Sequence, residues 1–293
     1  MAVTAQFRAP LPCPPDVRHI ARQSLAEAMA LLERRPLSDR SVHAVRKDLK
    51  RARAMLRLLR AALGDETYRR NNAALRDVAR ALGEVRDSKV LLDTLQSLPK
   101  RSAVAPDRSR AQLRARLRRE HVHSRGTLRG NGTSVRRSYK SLRSVRHSLS
   151  RVPADCYDWP VLRQGVCRVY GRARITLGRV RAHRTAEDLH ELRKQTKYLW
   201  HQLEALAASD GGGTRSLAAA AHRLSDLLGD DHNLTVLRGK VLQASLAPSA
   251  QKRLLARIDA RRERLIGRAL LLARRIFRDP PAKFAARVAA APH

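Results

Sequence analysis

The sequence predicts an all-α protein made of two similar helical bundles in tandem, and three observations predict it. Apolar residues recur at helical spacing almost throughout, and no stretch alternates as a strand would. The phrase His-x-x-Arg-Lys-x-x-Lys is written twice, 147 residues apart, as His43, Arg46, Lys47, Lys50 and as His190, Arg193, Lys194, Lys197. A second phrase, Leu82-Gly83 to Asp87, returns as Leu228-Gly229 to Asn233 at an offset of 146. Two independent matches at nearly one offset indicate duplication.

The elements follow in order. Pro14-Pro15 opens a helix over about 16–35, which Pro36 stops. Ser38 or Asp39 caps the next, which carries the first motif to about Leu63 and ends at Gly64-Asp65. A third covers about 66–98, with Gly83 as its weak point and Pro99 as its end. A loop over 99–106 leads to a basic helix from about Asp107. The Gly, Ser and Arg-rich stretch 124–144 reads as a flexible or inserted segment. Residues 153–160, bounded by prolines, divide the halves.

The second half repeats the plan: a helix over 159–181, the motif helix over 185–208, a loop at Gly211-Gly212-Gly213, and a helix pair over 214–245. A long basic helix over 248–277 follows, and Asp279-Pro280-Pro281 begins a tail of no assigned order. The first bundle is thus 15–150, the second 155–277, and the tail 278–293.

The duplication reaches the packing face. Val42, Val45, Leu49, Ala52, Leu56 and Leu59 correspond to Leu189, Leu192, Thr196, Leu199, Leu203 and Leu206, so all but one remain apolar. That spacing packs helices in bundles. Residues at i, i+3, i+4 and i+7 share one helix face, so each motif presents a stripe of positive or protonatable groups. The stripe of His43, Arg46, Lys50 and Arg57 lies roughly 110° from the mean apolar direction, at ~100° per residue. It therefore borders the packing seam. Arg53 prolongs it, while Lys47 and Arg51 flank it.

No acid sits at i±3 or i±4 from Arg46, Lys50 or Arg57 to pair with these cations, and Asp48 projects elsewhere. Crowded like charges cost about 0.2–0.5 kcal/mol per helix pair. The bland reading is that long stems cover apolar flanks with their heads in water. The repetition of the stripe favours an anionic ligand that supplies the missing charge. Across the whole chain, 61 Lys+Arg against 26 Asp+Glu leave a net charge of +35, a field that attracts polyanions.

Other chemistries fit poorly. A lone His among cations repels a metal and has no second ligand spaced nearby. No carboxylate orienter or acceptor nucleophile is part of the repeated motif, and no Gly-rich phosphate loop or metal-carboxylate cluster is written, so no enzyme, cofactor or metal is expected. The histidines are better suited to donate to an anionic oxygen. Neighbouring cations should disfavour their protonation, and a bound polyanion should favour it. Nucleic acid stays open as an alternative partner, although the motif helices hold only Tyr198 and Trp200 as aromatic platforms. Cys13, Cys156 and Cys167 show no metal-type spacing and suit a reduced, cytoplasmic location. No signal peptide is evident, and no segment reaches the ~18 apolar residues of a membrane span.

The stretches from His43 to Arg60 and from Leu189 to Leu203 resemble the CHAD family, named for conserved histidines in an α-helical domain. Gly165 to Arg174 resembles its helix before the second motif, with Arg168, Tyr170 and Arg174 at matching positions. Leu228 to Leu237 resembles its Leu-Gly-x-x-His-Asp segment, with Asn233 where Asp is usual. The resemblance covers about 15–277. It implies two four-helix bundles related by a pseudo-two-fold axis around a basic central groove or pore. It also implies non-enzymatic binding of inorganic polyphosphate, at polyphosphate granules. The two motifs, Arg51, Arg53, Arg57, Arg168, Tyr170 and Arg174 would form the polyphosphate-binding set. Family members are often fused to a CYTH triphosphatase domain, whose Glu-x-Glu-x-Lys strand does not occur here, so the chain resembles a stand-alone module.

Overall fold

The apolar stripes of the sequence are spent on helix-to-helix packing. A computed structural model describes residues 14–34, 36–99, 108–130, 132–153, 158–207 and 213–288, and every regular element among them is helical. The order is α1 (Val17–Glu33), α2 (Asp39–Leu58), α3 (Arg60–Leu63), α4 (Asp65–Ala81), α5 (Gly83–Ser97) and α6 (Arg108–Gly130). Then come α7 (Gly132–Ser150), α8 (Trp159–His183), α9 (Ala186–Leu206), α10 (Gly213–Leu242), α11 (Pro248–Ile276) and α12 (Pro281–Val288). Residues 100–106 of the expected loop, 154–157 of the expected boundary, Gly211, Gly212, Cys13 and Cys156 lie outside the described residues.

Local chemistry sets the starts of the long helices. Asp16, Ser38, Asp158 and Thr185 each accept a hydrogen bond from a first-turn backbone N–H of α1, α2, α8 and α9. Such a cap is worth about 1 kcal/mol. The helix after Ser38 does not run unbroken to Leu63: it turns at Leu59, and the short α3 ends at Gly64, whose φ of 72° suits glycine.

Two cores form, and each draws on both halves of the sequence. The larger joins α1, α2, α4, α7, α8 and α9 with the first part of α10, the end of α11 and α12. The smaller packs Leu91 and Leu95 of α5 and Leu113 and Leu117 of α6 against Leu234 and Leu237 of α10 and Leu254 and Ile258 of α11. The proline-bounded stretch near 153–160 thus separates the sequence repeats but not the cores.

Three expectations are corrected. The stretch 124–144 is not a flexible insert: most of it belongs to α6 and α7. Val135, Ser138, Leu142, Val145 and Leu149 form a buried helical stripe on α7, which packs on α1 and α4. The pair expected over 214–245 is one 30-residue helix, α10. The tail is not without order, because α12 buries Phe284, Ala285 and Val288 and packs on α8.

One close approach fixes how α8 crosses the end of α2. A Cβ on Gly165 would lie 2.6 Å from the Cα and 2.7 Å from the carbonyl oxygen of Leu58. Gly165→Ala is therefore expected to destabilise the protein by about 1–3 kcal/mol, since backbone must shift. Gly126→Ala on α6 meets nothing within 4 Å and should stabilise by about 0.5–1 kcal/mol. Denaturant titration of both variants checks the contrast, and equal effects would contradict it.

Candidate functional site

The motif helices α2 and α9 touch where Gln202 Nε2 donates to the Ala54 carbonyl at 3.4 Å. Val42, Val45 and Leu49 on one, and Leu189, Leu192 and Thr196 on the other, are buried in the main core. With those faces committed, the charged stripes turn to the same side. They meet across a cleft of about 780 Å³. His43, Arg46, Lys47 and Lys50 line it from α2, and His190, Arg193 and Lys197 from α9. Among the eight motif residues, only Lys194 is not a wall of the cleft; it pairs with Glu191.

The repeated Leu-Gly phrase has a job here. A Cβ on Gly83 would lie 3.2 Å from Arg46 Nη1, and one on Gly229 would lie 3.6 Å from Arg193 Nε. A glycine inside a helix costs about 1 kcal/mol relative to alanine. Gly83 leaves room for Arg46 to lie along the neighbouring helix, whereas a Cβ at Gly229 would make only ordinary contact with Arg193. Arg46 Nη1 donates to the Ala79 carbonyl at 2.7 Å, and its Nη2 is 3.5 Å from Asp87 Oδ1. The first stripe therefore does meet an acid, supplied by α5 and not by its own helix. Asn233 occupies the matching place in the second half and also lines the cleft.

Two histidines of the cleft are pushed toward the neutral form. The rings of His190 and His232 lie 4.8 Å apart. Burial, followed by the charges of Arg193 and Lys194, holds His190 below the usual imidazole range. Burial, then Arg193 and His190, pushes His232 down to about 4. The direction is the one expected from the neighbouring cations, but removal from water is the larger cause. Asp48 lies away from the stripe, and burial together with Glu27 pushes it up to about 6.

The remaining predicted residues lie elsewhere. Arg51 is within electrostatic reach of Glu204. Arg53 Nε and Arg57 Nη1 both donate to Asn72 Oδ1, at 3.0 and 3.1 Å, and Arg57 lies 3.7 Å over the Tyr198 ring. Burial lowers the Arg168 pKa, with Arg60 as the next cause, and its Nη2 has no hydrogen-bond partner. Arg174 is exposed on α8. Tyr170 is a correction: it is 0% exposed, stacks on Phe284 at 3.9 Å, and donates to the carbonyls of Ile276 and Asp279. It fastens α12 to α8 and has no face left for a ligand.

Several walls were not foreseen. Trp200 and Glu204 line the cleft, and so do His222, Asp226 and His232. The signal for the first two was present, because 190, 193, 197, 200 and 204 continue one helical stripe. The segment from Leu228 to Leu237 marks His232 by resemblance, whereas His222 and Asp226 needed the packing of α10 on α9.

A family model of the CHAD domain matches residues 19–242. The chain belongs to the CHAD family. The CHAD chain is 26% identical over 252 residues to two uncharacterized Mycobacterium tuberculosis proteins, MT2285 of strain CDC 1551 and Rv2226 of strain H37Rv. The match covers 80% of the chain and 46% of those proteins, so the chain spans about half the length of the curated relatives it matches. Its fold is similar to PptA from Streptomyces chartreusis, with a TM-score of 0.65 at 16% identity over 91% of this chain and all of that one. It is also similar to the CHAD domain from the plant Ricinus communis, with a TM-score of 0.59 at 18% identity, covering 99% of this chain and 98% of that one. Among the described residues of the CHAD chain, no group of three or more His, Cys, Asp or Glu could hold a metal ion, and no helix is long and apolar enough to cross a membrane.

The depressed histidine has a consequence for stability. An unfolded His takes up its proton near pH ~6.5, whereas folded His232 does so at about 4. Its contribution to stability is full above the unfolded value and is lost as pH falls toward the folded one. The ligand-free protein should lose thermal stability between pH ~7 and ~5, and His232→Gln should flatten that slope. An identical slope in the variant would contradict the assignment.

Proposed function

We propose that this CHAD chain binds inorganic polyphosphate in the α2–α9 cleft as a non-enzymatic module. The observation that supports it is the convergence of both cationic stripes on one cavity. Every unit of a linear phosphate polymer carries negative charge, so one strand can answer both rows at once. Arginine offers phosphoryl oxygens a two-pronged fork, and lysine a mobile point charge. Arg46 is steadied by the Ala79 carbonyl through Nη1, and its Nη2 lies at the long distance of 3.5 Å from the exposed Asp87, from which a phosphoryl oxygen would draw it. His190 and His232, biased toward the neutral form by burial, would gain protons as the polymer arrives and add to its grip.

The same reading includes two four-helix bundles related by a pseudo-two-fold axis along the cleft. The matching of Gly83 to Arg46 and of Gly229 to Arg193 supports that symmetry. In the cell, a chain gripping polyphosphate would sit on polyphosphate granules in the cytoplasm, a placement that rests on family membership. Displaced counterions would make affinity fall steeply with salt, as for other linear polyanions.

Replacing Arg46, Lys50, Arg193 and Lys197 together with Ala is the test. Each charge-assisted hydrogen bond is worth about 1.5–3 kcal/mol, so affinity for long-chain polyphosphate should fall by at least about 100-fold. Helical content by circular dichroism should persist, because these heads face the cleft and not the core. Retention of wild-type affinity by the quadruple variant would overturn the proposal.

A further inference from the structure

The two halves contribute unlike arms to the cleft. Carried along the helices, the repeat offsets pair Trp200 and Glu204 of α9 with Arg53 and Arg57 of α2. They pair His222 and Asp226 of α10 with Arg76 and Arg80 of α4. Four arginine positions of the first half are thus an indole, an imidazole and two carboxylates in the second. All four second-half residues line the cleft.

Their arrangement is that of a small aromatic platform beside a phosphate track. The Trp200 ring stacks on His201, which is 1% exposed, with 4.2 Å between centroids. The Lys197 ammonium lies 5.3 Å from the indole centre. His222 is 4.0 Å from the indole and is tied to Asp226 at 3.6 Å, with both side chains well exposed. Such a weakly held ring can yield its place to a ligand. Glu204 and Asp226 repel phosphate, yet carboxylates accept hydrogen bonds from amino and hydroxyl groups. Glu204 also meets the buried His201 Nδ1 at 3.4 Å, but it lines the cleft with Asp226 and Trp200, and two acids at the end of the cations weaken a site for phosphate alone.

We propose that this arm receives the nucleoside of a nucleoside polyphosphate. The phosphates lie on Arg193, Lys197 and the facing Lys50, in the part of the cleft assigned to polyphosphate, and the inference rests on that reading. The base takes the place of His222 against Trp200. Its amino groups and the ribose hydroxyls donate to Asp226 and Glu204.

Calorimetry with ATP and with inorganic tripolyphosphate, without divalent cations and at one ionic strength, tests this. Stacking of a base on an aromatic side chain predicts that ATP binds about tenfold more tightly, despite carrying less charge. Tryptophan emission should be quenched by ATP and not by tripolyphosphate, since Trp159 is buried. In Trp200→Leu the ratio of the two affinities should fall to about one. Asp226→Arg, which restores the arginine of the first half at an exposed position, should move the preference toward tripolyphosphate and serves if the Leu variant does not fold. ATP binding no tighter than tripolyphosphate, or a preference that survives these changes, overturns the inference. If neither tripolyphosphate nor long-chain polyphosphate binds, the polyphosphate reading falls with it; if both bind without a nucleoside preference, this inference alone falls.

Discussion

Two rows of like charge are pressed together in this molecule by the burial of what lies behind them. On α2 and α9 the apolar faces are sealed in a single core, with Val45, Leu49, Leu192 and Leu199 at 0% exposure. Each such side chain contributes about 1.5–3 kcal/mol on burial, whereas a like-charge pair on a helix costs about 0.2–0.5 kcal/mol. Packing wins by a wide margin. The stripes border the buried faces, so sealing those faces turns seven of the eight motif side chains to the shared cleft. On the proposed function, a bound polyanion would relieve the repulsion that remains.

The cleft is steadied by details that look minor in isolation. Gly83 and Gly229 bear no side chain where the motif arginines pass, and the Ala79 carbonyl fixes the Arg46 guanidinium. Asp87 stands beside that arginine in the first half, and Asn233 replaces it in the second. The duplication therefore preserves the position of each arginine while changing the charge around it. The same divergence runs further along, where Arg53 and Arg57 engage Asn72 and Tyr198 while their counterparts Trp200 and Glu204 face the cavity. Repeats of one plan have become two different surfaces.

Much of this was legible in the sequence because the forces involved are local. Ser38 and Thr185 marked where the motif helices begin, and helical spacing put each motif on one helix face, although only the packing of α2 on α9 brings seven of those residues to one cavity. What was not legible depended on partners distant in the chain. The composition of α7 concealed its buried stripe, because serines and arginines outnumber the five residues that face the core. Tyr170 could not be told from a ligand contact until α12 was seen to cover it. The continuity of α10 was hidden because Leu228-Gly229 reads like Leu82-Gly83, where α4 gives way to α5. The carboxylates Asp87 and Asp226 reach the cleft from α5 and α10, so no inspection of the motif helices would reveal them.

The claim on which the account stands is that both stripes serve one ligand at one place. Titration calorimetry with a short inorganic polyphosphate of defined length measures this most directly, through its stoichiometry. One polymer bound per chain, with that single event weakened when either stripe alone is neutralised, is the predicted result. Two equal and independent events per chain, each erased by changing only its own stripe, would contradict it.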